Sequence, residues 1–189
     1  MSMQDDIVNA AGILKSGGII LYPTDTIWGI GCDATNNIAV QRIYQLKNRE
    51  DNKSMLILLD SEDKLSYYVR HVPEIAYQLL NASDTPLTLI YPGARRLAPS
   101  LIAEDGSIGI RITSDPFCRE LIKYTGFPLV SSSANFSGQP SPSVFREISS
   151  EIKTKVDFVV QWRQNDTKKN TPSSIIKLEG GRLFRILRA

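Results

Sequence analysis

Short apolar runs that read as β-strands alternate with amphipathic stretches that read as helices, from one end of this chain to the other. Strands interleaved with helices specify an α/β architecture, in which a mostly buried sheet is covered by helices. Ile19–Tyr22 is a buried run that stops at Pro23, and Met55–Leu59 is continuously apolar. Leu87–Tyr91, Ile108–Ile112, Leu129–Ser133, Phe158–Gln161, Ser174–Leu178 and Leu183–Leu187 complete the strands. Between them lie helices. Residues 5–16 carry Ile7, Ala11 and Leu14 on one face, with Asp5 and Asp6 at the start and Gly17-Gly18 at the stop. Asn36 or Asn37 caps a second helix with a Val40, Ile43, Tyr44 stripe. Pro73–Ala82 and Asp115–Tyr124 read as two more, the last with Asp115 as cap and Pro116 at its first position.

At 189 residues the chain is long enough for one domain, 1–189, with a full core. Hydrophobic residues make up 42% and charged residues 22%, which excludes a disordered chain. No apolar run reaches the roughly 18 residues a membrane span needs. Met1–Ala10 holds two aspartates and no basic residue, so it does not read as a signal or transit peptide, and a cytoplasmic location is expected. Cys32, Cys118 and the single His71 lack metal-ligand spacing, so no structural metal is expected. Net charge is only +2, but residues 140–189 hold ten Lys/Arg against five Asp/Glu. That quarter could face RNA or be an ordinary solvated surface.

Four segments carry chemistry. In Tyr22-Pro23-Thr24-Asp25-Thr26-Ile27-Trp28-Gly29-Ile30-Gly31 a strand ends in hydroxyls and a carboxylate, then glycines that allow close approach; a plain Asx-type turn reads the same way. Lys47 falls on the buried stripe of its helix and calls for an anionic partner. With Arg49 and Lys53 it suits phosphate, though cations at a helix C-terminus also answer the dipole. Ser107-Ile108-Gly109-Ile110-Arg111-Ile112-Thr113 alternates, placing Arg111 beside a glycine on a polar face; a solvent-facing strand explains that alternation equally well. Ser131-Ser132-Ser133-Ala134-Asn135-Phe136-Ser137-Gly138 ends a buried strand in small polar groups. No GxSxG elbow, P-loop or GxGxxG is present.

In this order the segments resemble the YrdC family of threonylcarbamoyl-AMP synthases. The resemblance runs from about Gly17 to Arg188 and includes Ser173-Ser174-Ile175-Ile176 and Leu187-Arg188. It implies an open, twisted, mixed β-sheet with flanking helices and a large concave, positively charged cavity. It implies a nucleotidyltransferase that joins L-threonine, bicarbonate (as CO₂) and ATP into threonylcarbamoyl-AMP and pyrophosphate, for the t6A modification of tRNA. Mg²⁺ would ride on ATP, and a tRNA threonylcarbamoyl-transferase complex would take the product. By position, Thr26, Arg111, Ser131 and Ser173 correspond to threonine-binding residues. Arg49, Lys53, Ser107, Ser133, Asn135, Ser141 and Arg188 correspond to ATP-binding ones, with Lys47 and Arg49 as catalytic candidates. The chain departs from the pattern at Trp28 (tyrosine is usual), Glu50 (proline), Ser83-Asp84-Thr85 (proline-glycine), Leu58 (histidine in archaeal members) and the terminal Arg188-Ala189, where Arg185 is a substitute for Arg188. The alternative is a double-stranded RNA-binding or ribosome-maturation protein of the YrdC/YciO type, contacting RNA through the basic quarter. YciO-like paralogues lack the SxN element, intact here as Ser133-Ala134-Asn135. The carbamoyl-transfer module of hydrogenase maturation sits in a longer chain with zinc-finger-like cysteines, absent here.

Overall fold

The computed structural model describes residues 2–48, 55–180 and 183–189. The chain begins with α1 (Met3–Lys15), β1 (Ile20–Tyr22), β2 (Gly29–Gly31), α2 (Asn37–Lys47) and β3 (Leu56–Leu59). It continues through α3 (Leu65–Tyr68), α4 (Glu74–Ala82), β4 (Leu87–Tyr91), β5 (Ile108–Ile112), α5 (Pro116–Thr125) and β6 (Leu129–Ser133). α6 (Ser150–Lys155), β7 (Phe158–Val159), β8 (Ser174–Gly180) and β9 (Leu183–Arg188) close it. Local chemistry accounts for the helix ends. Ser2 and Asp5 form a reciprocal capping box on α1, Asn36 caps α2, and Asp115 caps α5, whose end is Gly126 in the left-handed region. Asp6, expected only to favour the start of α1, is buried instead and accepts the backbone N–H groups of Gln161 and Trp162.

The strands form one mixed sheet in the order β7-β1-β2-β6-β3-β5-β4-β8-β9. Because successive side chains alternate across a sheet, each strand feeds two layers. One face carries Leu21, Ile30, Ile57, Leu59, Leu89, Ile108, Ile110, Val130 and Ile176 into the larger core, which α2 completes with Val40, Ile43 and Tyr44. The other face is covered only in part. α1 and α5 pack over Ile20, Tyr22, Leu58, Leu129 and Val160, using Ile7, Leu14, Phe117 and Leu121. Beyond them, across β5, β4, β8 and β9, no helix covers that face among the described residues. Cross-strand register runs Leu129, Leu58, Arg111, Thr88, Ile175, Arg188 as one row, from under the helices into the open.

Most expected elements appear within two residues of their expected bounds. β2 was not expected, since Gly29 and Gly31 read only as allowing close backbone approach. It is a strand because it pairs on both sides, Tyr22 with Gly29 and Gly29 with Ser133. Gly31 has no alternative there: a Cβ would lie 2.3 Å from the Val130 carbonyl oxygen. The short helices α3 and α6 also lacked a periodic signal. The solvent-facing reading of 107–113 is overturned, because β5 is flanked on both sides and Ser107, Arg111 and Thr113 are all buried. No described helix is long and apolar enough to cross a membrane.

Candidate functional site

The uncovered half of the second sheet face is the floor of a cavity of about 620 Å³. Arg111, Gly109, Thr88, Ile175 and Ser131 lie on that floor; Thr26, Trp28, Ser107, Ser133, Ser141, Ser173 and Arg188 border it. Gly109 keeps the floor low: a Cβ would sit 3.3 Å from Leu56 and 3.5 Å from Thr88. Where the helix layer ends the strands present Thr88, Gly109, Arg111 and Ser131 among Leu56, Ile90 and Ile175, and where it continues they present apolar side chains such as Leu58 and Leu129.

Arg111 is the most buried charge on the cavity wall, 3% exposed. Its Nη2 lies 3.1 Å from Asp25 Oδ1 and 3.4 Å from Thr24 Oγ1. Asp25 is held in turn by the Thr113 hydroxyl at 3.2 Å and the Ser114 N–H at 3.1 Å. The Thr24 hydroxyl donates to the Ile27 carbonyl at 2.8 Å and accepts the Thr26 N–H at 3.0 Å, so the loop is a tight hydroxyl-centred turn. One edge of the guanidinium is thus fixed, while its Nε is buried and makes no hydrogen bond. A donor in that state is costly unless something accepts from it, and a carboxylate matches its geometry. Thr24 and Asp25, singled out in the motif but not as site residues, orient Arg111 and Thr26.

The β8–β9 side builds the opposite wall. Ser173 Oγ and Thr88 Oγ1 share a hydrogen bond at 2.7 Å, and Arg188 Nε donates to the Ser173 carbonyl at 2.8 Å. Burial, and then the nearby positive charge of Arg111, push the Arg188 pKa down. Arg185 projects elsewhere, its guanidinium 2.7 Å from Glu179. Of the two terminal arginines only Arg188 borders the cavity. At the mouth, Asp105 accepts from Ser107 Oγ at 2.5 Å and from Lys177 Nζ at 2.6 Å. These bonds hold its carboxyl at about 2.

Not every candidate reaches the wall. Lys47 is 1% exposed, as its helical phase demands, but it does not line the cavity. Its Nζ donates to the Ser133 carbonyl and lies 3.5 Å from Ser133 Oγ, so it braces the serine strand from behind. Asn135 also stands back. Its Nδ2 bonds the carbonyls of Phe136 and Gln139, and its Oδ1 accepts from Ser141 Oγ at 3.4 Å. Arg49 and Lys53 lie outside the described residues. Among the described residues, no group of three or more His, Cys, Asp or Glu could hold a metal ion.

Residues 12–189 match the Sua5_yciO_yrdC family, described as telomere recombination. A Pseudoalteromonas translucida protein named threonylcarbamoyl-AMP synthase is 30% identical over 188 residues, 98% of this chain and 100% of its own. The chain belongs to the Sua5/YciO/YrdC family. Among solved structures, E. coli YciO aligns with a TM-score of 0.85 at 25% identity, over 99% of this chain and 89% of its own. P. abyssi Sua5 complexed with L-threonine aligns with a TM-score of 0.86 at 24% identity, over all of this chain. The present chain spans about half the length of that Sua5, 54%.

Against the family pattern, the departures now have positions. Trp28, in place of tyrosine, lines the cavity with its ring centroid 4.8 Å from that of Phe145. Leu58, in place of the archaeal histidine, is fully buried under the α1–α5 layer, in the row between Leu129 and Arg111. The Ser83-Asp84-Thr85 turn is closed by the Ser83 hydroxyl donating to the Thr85 carbonyl at 2.8 Å. Glu50 lies outside the described residues.

Proposed function

We propose that this chain is a threonylcarbamoyl-AMP synthase, forming threonylcarbamoyl-AMP, pyrophosphate and water from L-threonine, bicarbonate and ATP. The observation that carries the reading is the pinned guanidinium of Arg111: it lines a cavity rimmed by hydroxyls, its Nε is left without a bond, and a second cation, Arg188, borders the same cavity. The full-length relative named for this activity supports it. The threonine carboxylate takes the free edge of Arg111, and the hydroxyls of Thr26, Ser131 and Ser173 surround its amine and side chain. The amine attacks CO₂, giving a carbamate and releasing a proton. A carbamate oxygen then attacks the α-phosphorus, and the bond to the bridging oxygen breaks as pyrophosphate leaves.

Arg188, Ser107, Ser133 and Ser141 hold the nucleotide, and Arg49 and Lys53 meet its triphosphate. Mg²⁺ arrives as part of the MgATP substrate. Lys47 and Asn135 act one layer back, by fixing Ser133 and Ser141. The contribution of all these groups is positioning and preorganised charge, with no covalent intermediate on the protein. The product passes to a tRNA-modifying transferase, in the cytoplasm. Pyrophosphate release with threonine, bicarbonate and ATP, omitting each in turn, tests the proposal. All three should be required; full-rate ATP hydrolysis without threonine rejects it.

A further inference from the structure

A second cavity, of about 450 Å³, opens between α3, the loop after β4 and the C-terminal end of α5, away from the first. Its floor is apolar: Leu59, Ile122 and Phe127, with Tyr68 beside them. Its rim carries Tyr67, which is 52% exposed, and Arg95. The backbone explains why they meet. Val69 bridges Ala94, the Arg95 N–H donates to the Tyr68 carbonyl at 2.8 Å, and the Arg70 N–H donates to the Gly93 carbonyl at 2.9 Å. This short antiparallel contact brings Arg95 to the rim and sets Arg96 against Tyr67, its guanidinium 4.0 Å from the ring centre, with Arg70 beside Gly93 across the same bridge.

The three arginines differ from the other basic groups nearby. Lys64 is neutralised by Asp60 at 2.7 Å. In the basic C-terminal quarter, Lys155, Arg163, Lys177 and Arg185 are all committed to carboxylates. Among the described residues none of Arg70, Arg95 and Arg96 forms an ion pair. Arg95 donates only to the Ser66 carbonyl, and its Nε is buried with no partner. Asp63 on the rim is the opposing charge, its carboxylate accepting from Ser61 Oγ at 3.0 Å.

We propose that this cavity is a second binding site, for a nucleotide unit. The base packs on Tyr67 and the apolar floor, and the phosphate takes the guanidinium of Arg95. An exposed aromatic ring beside unpaired arginines matches an unstacked base and its backbone. Arg70 and Arg96 alongside extend the positive charge beyond one phosphate, which favours a single-stranded RNA over a free mononucleotide.

The test is fluorescence anisotropy with a labelled, single-stranded 5-mer oligoribonucleotide, using wild type, Tyr67→Ala and Arg95→Gln. Each substitution should weaken binding at least about tenfold, the usual loss when a stacking platform is removed. Pyrophosphate release and melting temperature should stay at wild-type values, which separates failure here from failure of the synthase reading. Competition by AMP as strong as by unlabelled 5-mer assigns the site to free nucleotides and supports the shared chemistry. Equal binding of a duplex of the same sequence, or equal competition by inorganic phosphate, overturns the proposal. So does unchanged 5-mer binding in both variants.

Discussion

One face of the sheet behaves in two ways. Under α1 and α5 it carries Ile20, Tyr22, Leu58 and Leu129, all sealed from solvent. Beyond the helices it carries Gly109, Arg111, Thr88, Ser131 and Ser173, around a cavity. The strands are shared: Leu129 and Ser131 are two residues apart on β6, and Leu58 pairs directly with Arg111 across β3 and β5. The site is therefore made by where the helix layer stops, and side-chain chemistry changes at that boundary. Covered positions contribute stability through apolar area; uncovered positions contribute function, and are stable only because they are hydrogen-bonded or charge-paired to each other.

The largest break of this division should come from Arg111→Met. It removes the carboxylate clamp and leaves Asp25 buried opposite an apolar chain. Losing one partner of a buried pair costs about 3–5 kcal/mol. Denaturant unfolding should show that loss, and threonine-dependent turnover should disappear. Asp25→Asn should also cost stability, because it leaves Arg111 buried without its anion, although the amide oxygen can still accept from Thr113 and Ser114. If Arg111→Met is as stable as wild type and still active, the uncovered half does not depend on its central charge pair.

Leu129→Ala attacks the covered half. It empties volume between α1, α5 and the sheet, at a cost of about 2–5 kcal/mol. Turnover per folded molecule should remain near wild type. Calorimetric unfolding beside an assay at low temperature checks both halves of the statement. Ser131→Ala, one pleat along, should do the reverse, leaving the melting temperature unchanged and weakening threonine binding. A lost neutral hydrogen bond of about 0.5–1.5 kcal/mol corresponds to roughly a two- to tenfold rise in threonine Kd by titration calorimetry. A large stability loss in Ser131→Ala would merge the two halves into one core.

Much of this was legible beforehand, for reasons that residues make plain. Apolar runs such as Ile108–Ile112 and Leu129–Ser133 are strands because alternation and continuous burial are properties of the run itself. Lys47 is buried because helical phase puts it beneath Ile43. What one position cannot reveal is its partner across the fold. The sequence does not say that Lys47 meets the Ser133 carbonyl, eighty-six residues away, or that Thr88 meets Ser173. Nor does it say that Asp6 spends its charge on the backbone at 161 and 162. β2 was illegible for the same reason: two glycines around one isoleucine become a strand only between β1 and β6. The missing signal at Asp25 was subtler. A carboxylate between two threonines reads as a turn, and only the buried arginine opposite makes it a clamp.

The smallest effect belongs to the second ion pair of the uncovered half, Lys177 with Asp105. Its chemistry is that of Arg111 and Asp25, but its depth is not: the side chains are 36% and 50% exposed, against 3% and 9%. Water screens the outer pair, so it should contribute little at neutral pH. Its trace should be a titration. The Lys177 hydrogen bond, and then those from Ser107, lower the Asp105 carboxyl from 3.8 to about 2. A depressed carboxylate pKa stabilises the fold above the unfolded value and loses that contribution as pH falls through the folded one. The window is therefore between about pH 4 and pH 2. Lys177→Met should raise the Asp105 pKa toward 3.8, followed by NMR through its carboxyl resonance, and should flatten the pH dependence of unfolding across that window alone. Ser107→Ala should shift it less, because the hydrogen bond from the lysine is the larger cause. Added salt should narrow the difference between Lys177→Met and wild type, whereas Arg111→Met should be indifferent to it, since the deeper pair is not reached by the ionic atmosphere. If salt rescues both equally, exposure is not what separates the rim of the cavity from its floor.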